Sequence, residues 1–298
     1  VRIWVYLPLV LSFLFPWATQ WMADLLSPAA AVRLATAGAA VAALASTCSL
    51  TLLSLTLFDD LPPLNAFDNR PELGLPKPVP GWLASIAALV LLAGTVRLLR
   101  EAVRRRRAVG ELRAVGAPYG GLVVADLPEP FAVAIPGRPG HVLVTSGMLS
   151  LLDPVERKVL LAHERSHLNR RHHFLVAIAA SSAAMNPLLT KLASLITYLA
   201  ERSADEDAAA EVGDRTVVAR AVAKASVAGS GRGPAPALGL HGSTAVERVA
   251  AIAGPEPASR WRGSTGVAAL AVVQVAVSAV AIVQFVSVAE AWLGMLFS

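Results

Sequence analysis

The chain is poor in charge. Asp, Glu, Lys and Arg make up 16% of its 298 residues, where soluble globular proteins carry about 25%. Hydrophobic residues supply 55%, and mean hydropathy is strongly positive. The deficit argues against an ordinary soluble protein and points to a membrane protein. Cysteine is scarcer still. Cys48 stands alone, so no intrachain disulfide is possible and the redox compartment stays open. No internal repeat is present.

Charge is absent altogether from four runs: residues 3–23, 34–58, 78–96 and 264–289. A helix needs about 20 apolar residues to cross a bilayer, so about four transmembrane helices are expected. Pro8 and Pro16 would kink the first. That run lacks a basic flank and a small-x-small cleavage site, so it is expected to be retained rather than cleaved as a signal.

What charge there is falls unevenly. Arg97, Arg100, Arg104, Arg105, Arg106, Arg107 and Arg113 follow the third run. The loop before that run carries Asp59, Asp60, Asp68 and Glu72 against only Arg70 and Lys77. Basic flanks stay in the cytoplasm. Residues 59–80 are therefore expected outside and residues from 97 onward inside, with Arg260 and Arg262 in agreement. The N-terminus and C-terminus would lie outside, and an inner turn would fall near Ser27–Arg33. The arginine cluster reads as a topology signal touching anionic lipid. It lacks the interleaved aromatics of a nucleic-acid surface, so no nucleic-acid partner is expected.

Between the spans, residues 121–125, 131–135 and 141–145 are short, β-branched and bounded by Gly and Pro, which predicts strands. IPGRPGH between the last two predicts a hairpin. A short helix at SGMLSLL follows. Asp153, Pro154 and Glu156 then supply an N-cap, a first helical position and an acid at the third. A helix is predicted from about residue 154. Residues 228–240 read as a flexible loop.

That helix carries LLAHERSHLNRRHH, with four of the chain's six histidines. His163 and His167 are one turn apart and share a face. They can offer two imidazoles to one metal. Glu164 beside them is placed to reach a water at the metal's open position. This is the H-E-x-x-H arrangement of two zinc ligands and a general base. The bland alternative is an amphipathic helix with solvated histidines. A catalytic zinc needs a third protein ligand. YLAERSADEDAA offers Glu201 and Asp205, again one turn apart. One carboxylate could bind the metal while the other holds a ligand histidine. Glu206, Asp207 and Glu211 read as a solvated acidic face.

FAVAIPGRPGHVLVTSGMLSLLDPVERKVLLAHERSHLNRRHHF, followed by NPLL and ERSADEDAA, resembles the membrane-bound gluzincin metallopeptidases. These include HtpX, the CAAX prenyl proteases and the beta-lactam sensor–transducer antirepressors. The resemblance covers about residues 120–250. It implies one zinc per chain on His163, His167 and Glu201, with Glu164 as base and Asp205 beside a ligand histidine. His172 matches a further histidine often found after the motif; the alternative is a histidine facing headgroups or solvent. The family's His-Pro…Arg-Ile element has a loose counterpart in HGSTAVERVAAI. There Gly242 replaces proline and one extra residue precedes Arg248. His241 and Arg248 are thus candidate oxyanion or substrate helpers, against a loop histidine and a helix-start salt bridge. The Asn-Ala often found ahead of the hairpin is replaced by FAVAI.

The zinc reading constrains residues 174–200. His167 and Glu201 must meet at one ion, so the chain must return to the same side. As helix this segment reaches about 40 Å, and two crossings need about 60 Å. Two non-spanning helices bent near Asn186-Pro187 are expected, packed in the domain or dipping into the inner leaflet.

The fold expected is an α+β membrane protein. Residues 1–99 would hold three transmembrane helices, and residues 100–262 a cytoplasmic, mainly helical, gluzincin-like zinc protease domain with a small β-sheet. Residues 263–298 would hold a last transmembrane helix. A multi-pass cell-membrane metalloendopeptidase acting on protein or peptide segments follows. The strand HVLVT is a candidate edge for pairing an extended substrate. The competing functions are a signalling protease that cuts a transcriptional repressor and a non-enzymatic membrane scaffold. Cobalt or manganese could occupy the same ligands. Oligomeric state is not legible.

Overall fold

The computed structural model of the chain describes residues 5–23, 25–58, 79–229 and 243–257, with a few isolated positions from 276 to 290. Residues 59–78 of the predicted outer loop, His241, Arg260, Arg262 and nearly all of the predicted last span lie outside the described residues.

Three long helices come first: α1 (Leu7–Ala23), α2 (Pro28–Leu55) and α3 (Gly81–Arg113). Pro16 lies inside α1. The predicted inner turn is shorter than expected, because Ser27 is extended and Pro28 opens the helix. Proline's fixed φ suits a first helical position, so Arg33 is already helical. Among the described residues α2 and α3 are long and apolar enough to cross a membrane. Helix α2 turns Ala31, Ala35, Ala39 and Ala42 inward, each at most 1% exposed. Small residues at this spacing let helices approach closely. Helix α3 changes character along its length. Trp82, Ile86, Leu89 and Leu92 are exposed on its first half, and the arginines occupy its second.

The small sheet comprises β1 (Leu122–Ala125), β2 (Ala132–Ile135) and β3 (His141–Thr145). Each lies within a residue of its prediction. Strands β2 and β3 form the predicted antiparallel hairpin, and β1 joins β3 in parallel. The order β1-β3-β2 corrects one expectation. HVLVT is the central strand and is buried along its whole length. It cannot accept an added strand, whereas β2 lies at an edge.

Thr145 caps the short α4 (Ser146–Leu151) by accepting from the Met148 N–H at 3.2 Å. Helix α5 (Pro154–Asn169) starts as its sequence dictates. The Asp153 carboxylate accepts from the Val155 and Glu156 N–H groups, and Glu156 accepts from the Asp153 N–H at 3.0 Å. This capping box satisfies amide groups that have no partner inside the helix.

Arg171, in the left-handed region at φ 55°, turns the chain from α5 into α6 (His172–Met185). Asn186 ends α6, accepting from the Leu188 N–H and donating to Ser46 of α2 at 3.0 Å. One 3-10 turn later α7 (Thr190–Val212) begins. Residues 174–200 are thus two helices bent at Asn186-Pro187. Helix α6 is about 21 Å long, too short for a ~30 Å hydrocarbon core. Val32, Ala35 and Ala39 of α2 share one core cluster with Leu189 of the turn and with Leu192, Ile196 and Leu199 of α7. Gly94 of α3 allows close approach to α6, since a Cβ there would lie 2.9 Å from the Met185 carbonyl oxygen. Helices α8 (Arg215–Gly229) and α9 (Ser243–Ala253) follow and pack against α5 and α7.

Candidate metal centre

The capping box fixes where α5 starts and hence which face its histidines present. His163 and His167, both 9% exposed, bring their Nε2 atoms to 3.1 Å of each other. Helix α7 crosses α5 and delivers Glu201. Its Oε2 lies 3.5 Å from His163 Nε2 and its Oε1 3.5 Å from His167 Nε2. Two ligands about 2.0–2.1 Å from a tetrahedral zinc are about 3.4 Å apart. The closest approaches are near that value, one atom from each residue lies within 4.8 Å of the others, and imidazole with carboxylate is a zinc-type donor set. These three residues form a possible metal site.

The far side of each imidazole is also held. Asp205, fully buried, accepts from His163 Nδ1 at 3.0 Å. His172 is 1% exposed, which overturns the solvent-facing alternative. Its Nδ1 lies 3.1 Å from His167 Nδ1. In the tautomer that binds a metal through Nε2, His167 carries its proton on Nδ1 and would donate it to His172. Both rings are thereby held with Nε2 toward the cluster, the arrangement that orients metal ligands.

Arg248 of α9 closes the cluster. Its Nε and Nη2 donate to Asp205 at 2.9 and 2.8 Å, and Nη1 lies 3.0 Å from Glu201 Oε2. It is largely covered and pairs with carboxylates of the cluster, so the salt-bridge alternative holds in kind, with partners on α7 rather than at the start of its own helix.

Burial and neighbours set the charges in the metal-free site. Burial alone would lower the His163 pKa, but Asp205 and Glu201 raise it to about 10. Burial pushes His167 down to about 3. For Glu201 burial is overcome by Arg248 and the histidines, which hold the carboxyl well below its usual range. Glu164, 8% exposed, is pushed up to about 7, mainly by burial and further by Glu201, against His163, the Ala134 backbone and Arg248. A carboxylate with a pKa near neutrality is suited to proton transfer.

Two residues predicted as solvated are not. Glu206 pairs with Arg215 at 2.6 Å and Arg202 at 3.3 Å. Asp207 accepts from Arg170 and Ser166, bracing α5 against α7. Only Glu211, 58% exposed, fits the solvated face. Sequence reasoning passed over Arg170 and Ser166, since their partner lies 37 and 41 residues away.

Comparison with known proteins agrees with this geometry. Proteins named "Protease HtpX homolog" are similar to part of this chain. The one from Aquifex aeolicus is 29% identical over 129 residues, 42% of this chain and 43% of that protein. The one from Dictyoglomus thermophilum is 33% identical over 96 residues, 32% of each. The one from Persephonella marina is 30% identical over 115 residues, 38% of this chain and 40% of that protein. The chain thus spans less than half the length of these relatives. No solved structure matches it. The model of peptidase family M48 matches residues 99–262, more than half of the chain and the whole of the cluster around His163, and the chain belongs to that family.

Proposed function

We propose that the protein is a multi-pass membrane zinc metalloendopeptidase of the HtpX kind, cutting cytosolic or membrane-proximal segments of protein substrates. One observation carries this reading. Two imidazoles and a carboxylate, from residues 38 positions apart in sequence (His163 and Glu201), bring one ligand atom each to within 4.8 Å of one another. The proposed division is three membrane helices in residues 1–99, a cytoplasmic catalytic region at 100–262 and a last membrane helix at 263–298. The two apolar helices α2 and α3, and the arginines that begin at the midpoint of α3, support it.

In this reading His163, His167 and Glu201 hold one zinc ion. Bound there, zinc would supply polarisation of a scissile carbonyl and a water of pKa about 7. Glu164 accepts the proton of the attacking water and returns it to the leaving amine. Asp205 and His172 keep the ligand nitrogens aimed. Arg248 offsets the negative charge of Glu201 and Asp205. Strand β2, at the sheet edge and adjacent to Glu164 through Ala134, is the proposed rail for an extended substrate. His241 is proposed as an oxyanion or substrate helper; it precedes α9, the helix that brings Arg248 into the cluster.

The test compares wild type with Glu164→Gln in nanodiscs, reading zinc content and the peptides released from a proteome. The variant should bind about one zinc and lose about 10²–10⁴ in rate. Full cleavage by the variant removes Glu164 from the mechanism, and a wild type without zinc removes the metallopeptidase reading.

A further inference from the structure

A groove of about 920 Å³ runs between the second half of α3 and the α6–α7 hairpin. Its two walls differ in kind. The α3 wall carries Arg97, Arg100, Arg104, Arg105 and Arg107 against one carboxylate, Glu101. The facing wall contains no charged side chain: alanines and Val176 form it, with Thr190, Ser194 and Thr197 at one side. Glu101 is already engaged by Arg104 and by Arg105, the latter at 2.7 Å. Arg97 donates its Nε to the Ala184 carbonyl at 3.0 Å, capping the end of α6. Arg100 and Arg107 have no partner among the described residues. The groove therefore holds an excess of positive charge beside an apolar surface, with nothing on either wall to neutralise it.

We propose that this groove binds one anionic phospholipid, its phosphate between the arginines and its acyl chain along the alanine wall. The inference rests on the membrane reading above. The groove begins at Arg97, where the exposed apolar half of α3 gives way to its basic half, which is the level of headgroups for a helix leaving a bilayer. Leu99 and Val103, 60% and 47% exposed, line it on α3 and continue the apolar path. Basic pockets between membrane helices on the cytoplasmic side recognise anionic headgroups in this way. A free phosphate would leave the alanine wall unused. A nucleic acid would find no aromatic ring in the groove on which to stack its bases.

The test is native mass spectrometry of the detergent-purified full chain titrated with phosphatidylglycerol or phosphatidylcholine, with reconstitution into phosphatidylcholine nanodiscs alongside. One phosphatidylglycerol per chain should bind at least tenfold more tightly than phosphatidylcholine. Each groove arginine near a headgroup is worth about fivefold in affinity. Arg100→Gln with Arg107→Gln should therefore weaken binding about 25-fold. Arg100→Gln alone should weaken binding about fivefold, whereas Arg106→Gln removes the same single charge from α3 outside the groove and should change it less than twofold. Ala184→Phe, which fills the apolar wall and leaves every charge, should also weaken binding. Equal losses from Arg106→Gln mean diffuse attraction and overturn the site. So does tight binding of inorganic phosphate or a single-stranded oligonucleotide that survives Ala184→Phe. Reconstitution without lipid preference overturns the groove and leaves the membrane reading standing; failure to reconstitute at all overturns both.

Discussion

Asp205→Asn tests the core of the site with a change of one atom. The Asp205 Oδ1 accepts from both His163 Nδ1 at 3.0 Å and Arg248 Nη2 at 2.8 Å, and its Oδ2 accepts from Arg248 Nε at 2.9 Å. All three partners are donors. An asparagine must therefore turn its NH₂ group against at least one of them, whichever way it sits. Turned one way it faces Arg248 Nε; turned the other it faces both Nη2 and His163. One charge-assisted hydrogen bond lost in a buried site costs about 1.5–3 kcal/mol. Arg248 also keeps only Glu201 as counter-ion, so a total of about 2–4 kcal/mol is expected. Partners that orient a ligand histidine are worth about 10–100-fold in metal affinity. The assay is chelator competition for zinc on detergent-purified protein, with thermal unfolding of the metal-free form. The variant should raise the zinc Kd by about 10–100-fold and lower the metal-free Tm. Unchanged zinc affinity in a folded variant refutes the role given to Asp205.

Three further outcomes follow from packing and charge. Glu156 is fully buried in the capping box, and burial alone would raise its pKa. Hydrogen bonds from Lys224, the Asp153 backbone and Arg220 overcome that and lower it. Its stabilisation is therefore complete above the unfolded carboxylate pKa of about 4.3 and is lost as pH falls through the lower folded value. Glu156→Gln should cost about 1–2 kcal/mol at pH 7, because Lys224 and Arg220 are half-exposed. The Tm gap from wild type should narrow progressively as pH falls below about 4.3; a gap that stays constant down to acid unfolding sinks the argument. Gly94→Ala places a methyl 2.9 Å from the Met185 carbonyl oxygen and should destabilise by about 1–3 kcal/mol. Gly81→Ala meets nothing within 4 Å and should be nearly neutral; equal Tm shifts would contradict this. Arg170→Ala removes the brace to Asp207, one layer farther from the donors than Asp205. It should weaken zinc binding by less than roughly tenfold, and a loss exceeding that of Asp205→Asn would reverse the order of importance argued above.

The local parts of this structure were legible because their causes are local. The Asp153-Pro154-Glu156 signal placed the start of α5, and helical spacing then put His163 and His167 on one face. The strands and the hairpin followed from Gly and Pro punctuation around β-branched runs. The pair Glu201 and Asp205 stood out from the need for a third ligand and from their one-turn spacing, while only the family resemblance implied which of the two would face the metal. What was not legible depends on partners distant in sequence. Strand β1 pairs with β3 in parallel across the β2 hairpin, which places HVLVT in the centre rather than at an edge. Asp207 and Glu206 read as solvated because no local pattern pairs them with Arg170 or Arg215. The burial of His172 follows from the left-handed turn at Arg171, which folds α6 back toward the site, and an arginine there gives no warning of it.

Helix α2 supports more than itself. Leu189, Leu192, Ile196 and Leu199 rest on it at 0 to 3% exposure, and the same α7 goes on to supply Glu201. Burial of side chains this size is worth about 1.5–3 kcal/mol each, so the seam is comparable with the whole stability of a typical domain at about 5–15 kcal/mol. Cutting the chain at residue 99 would release the family-matched half with this seam open to water. A soluble form of the family-matched region must have that seam rewritten with polar residues, because excision by itself would leave α7, which supplies Glu201, without its support.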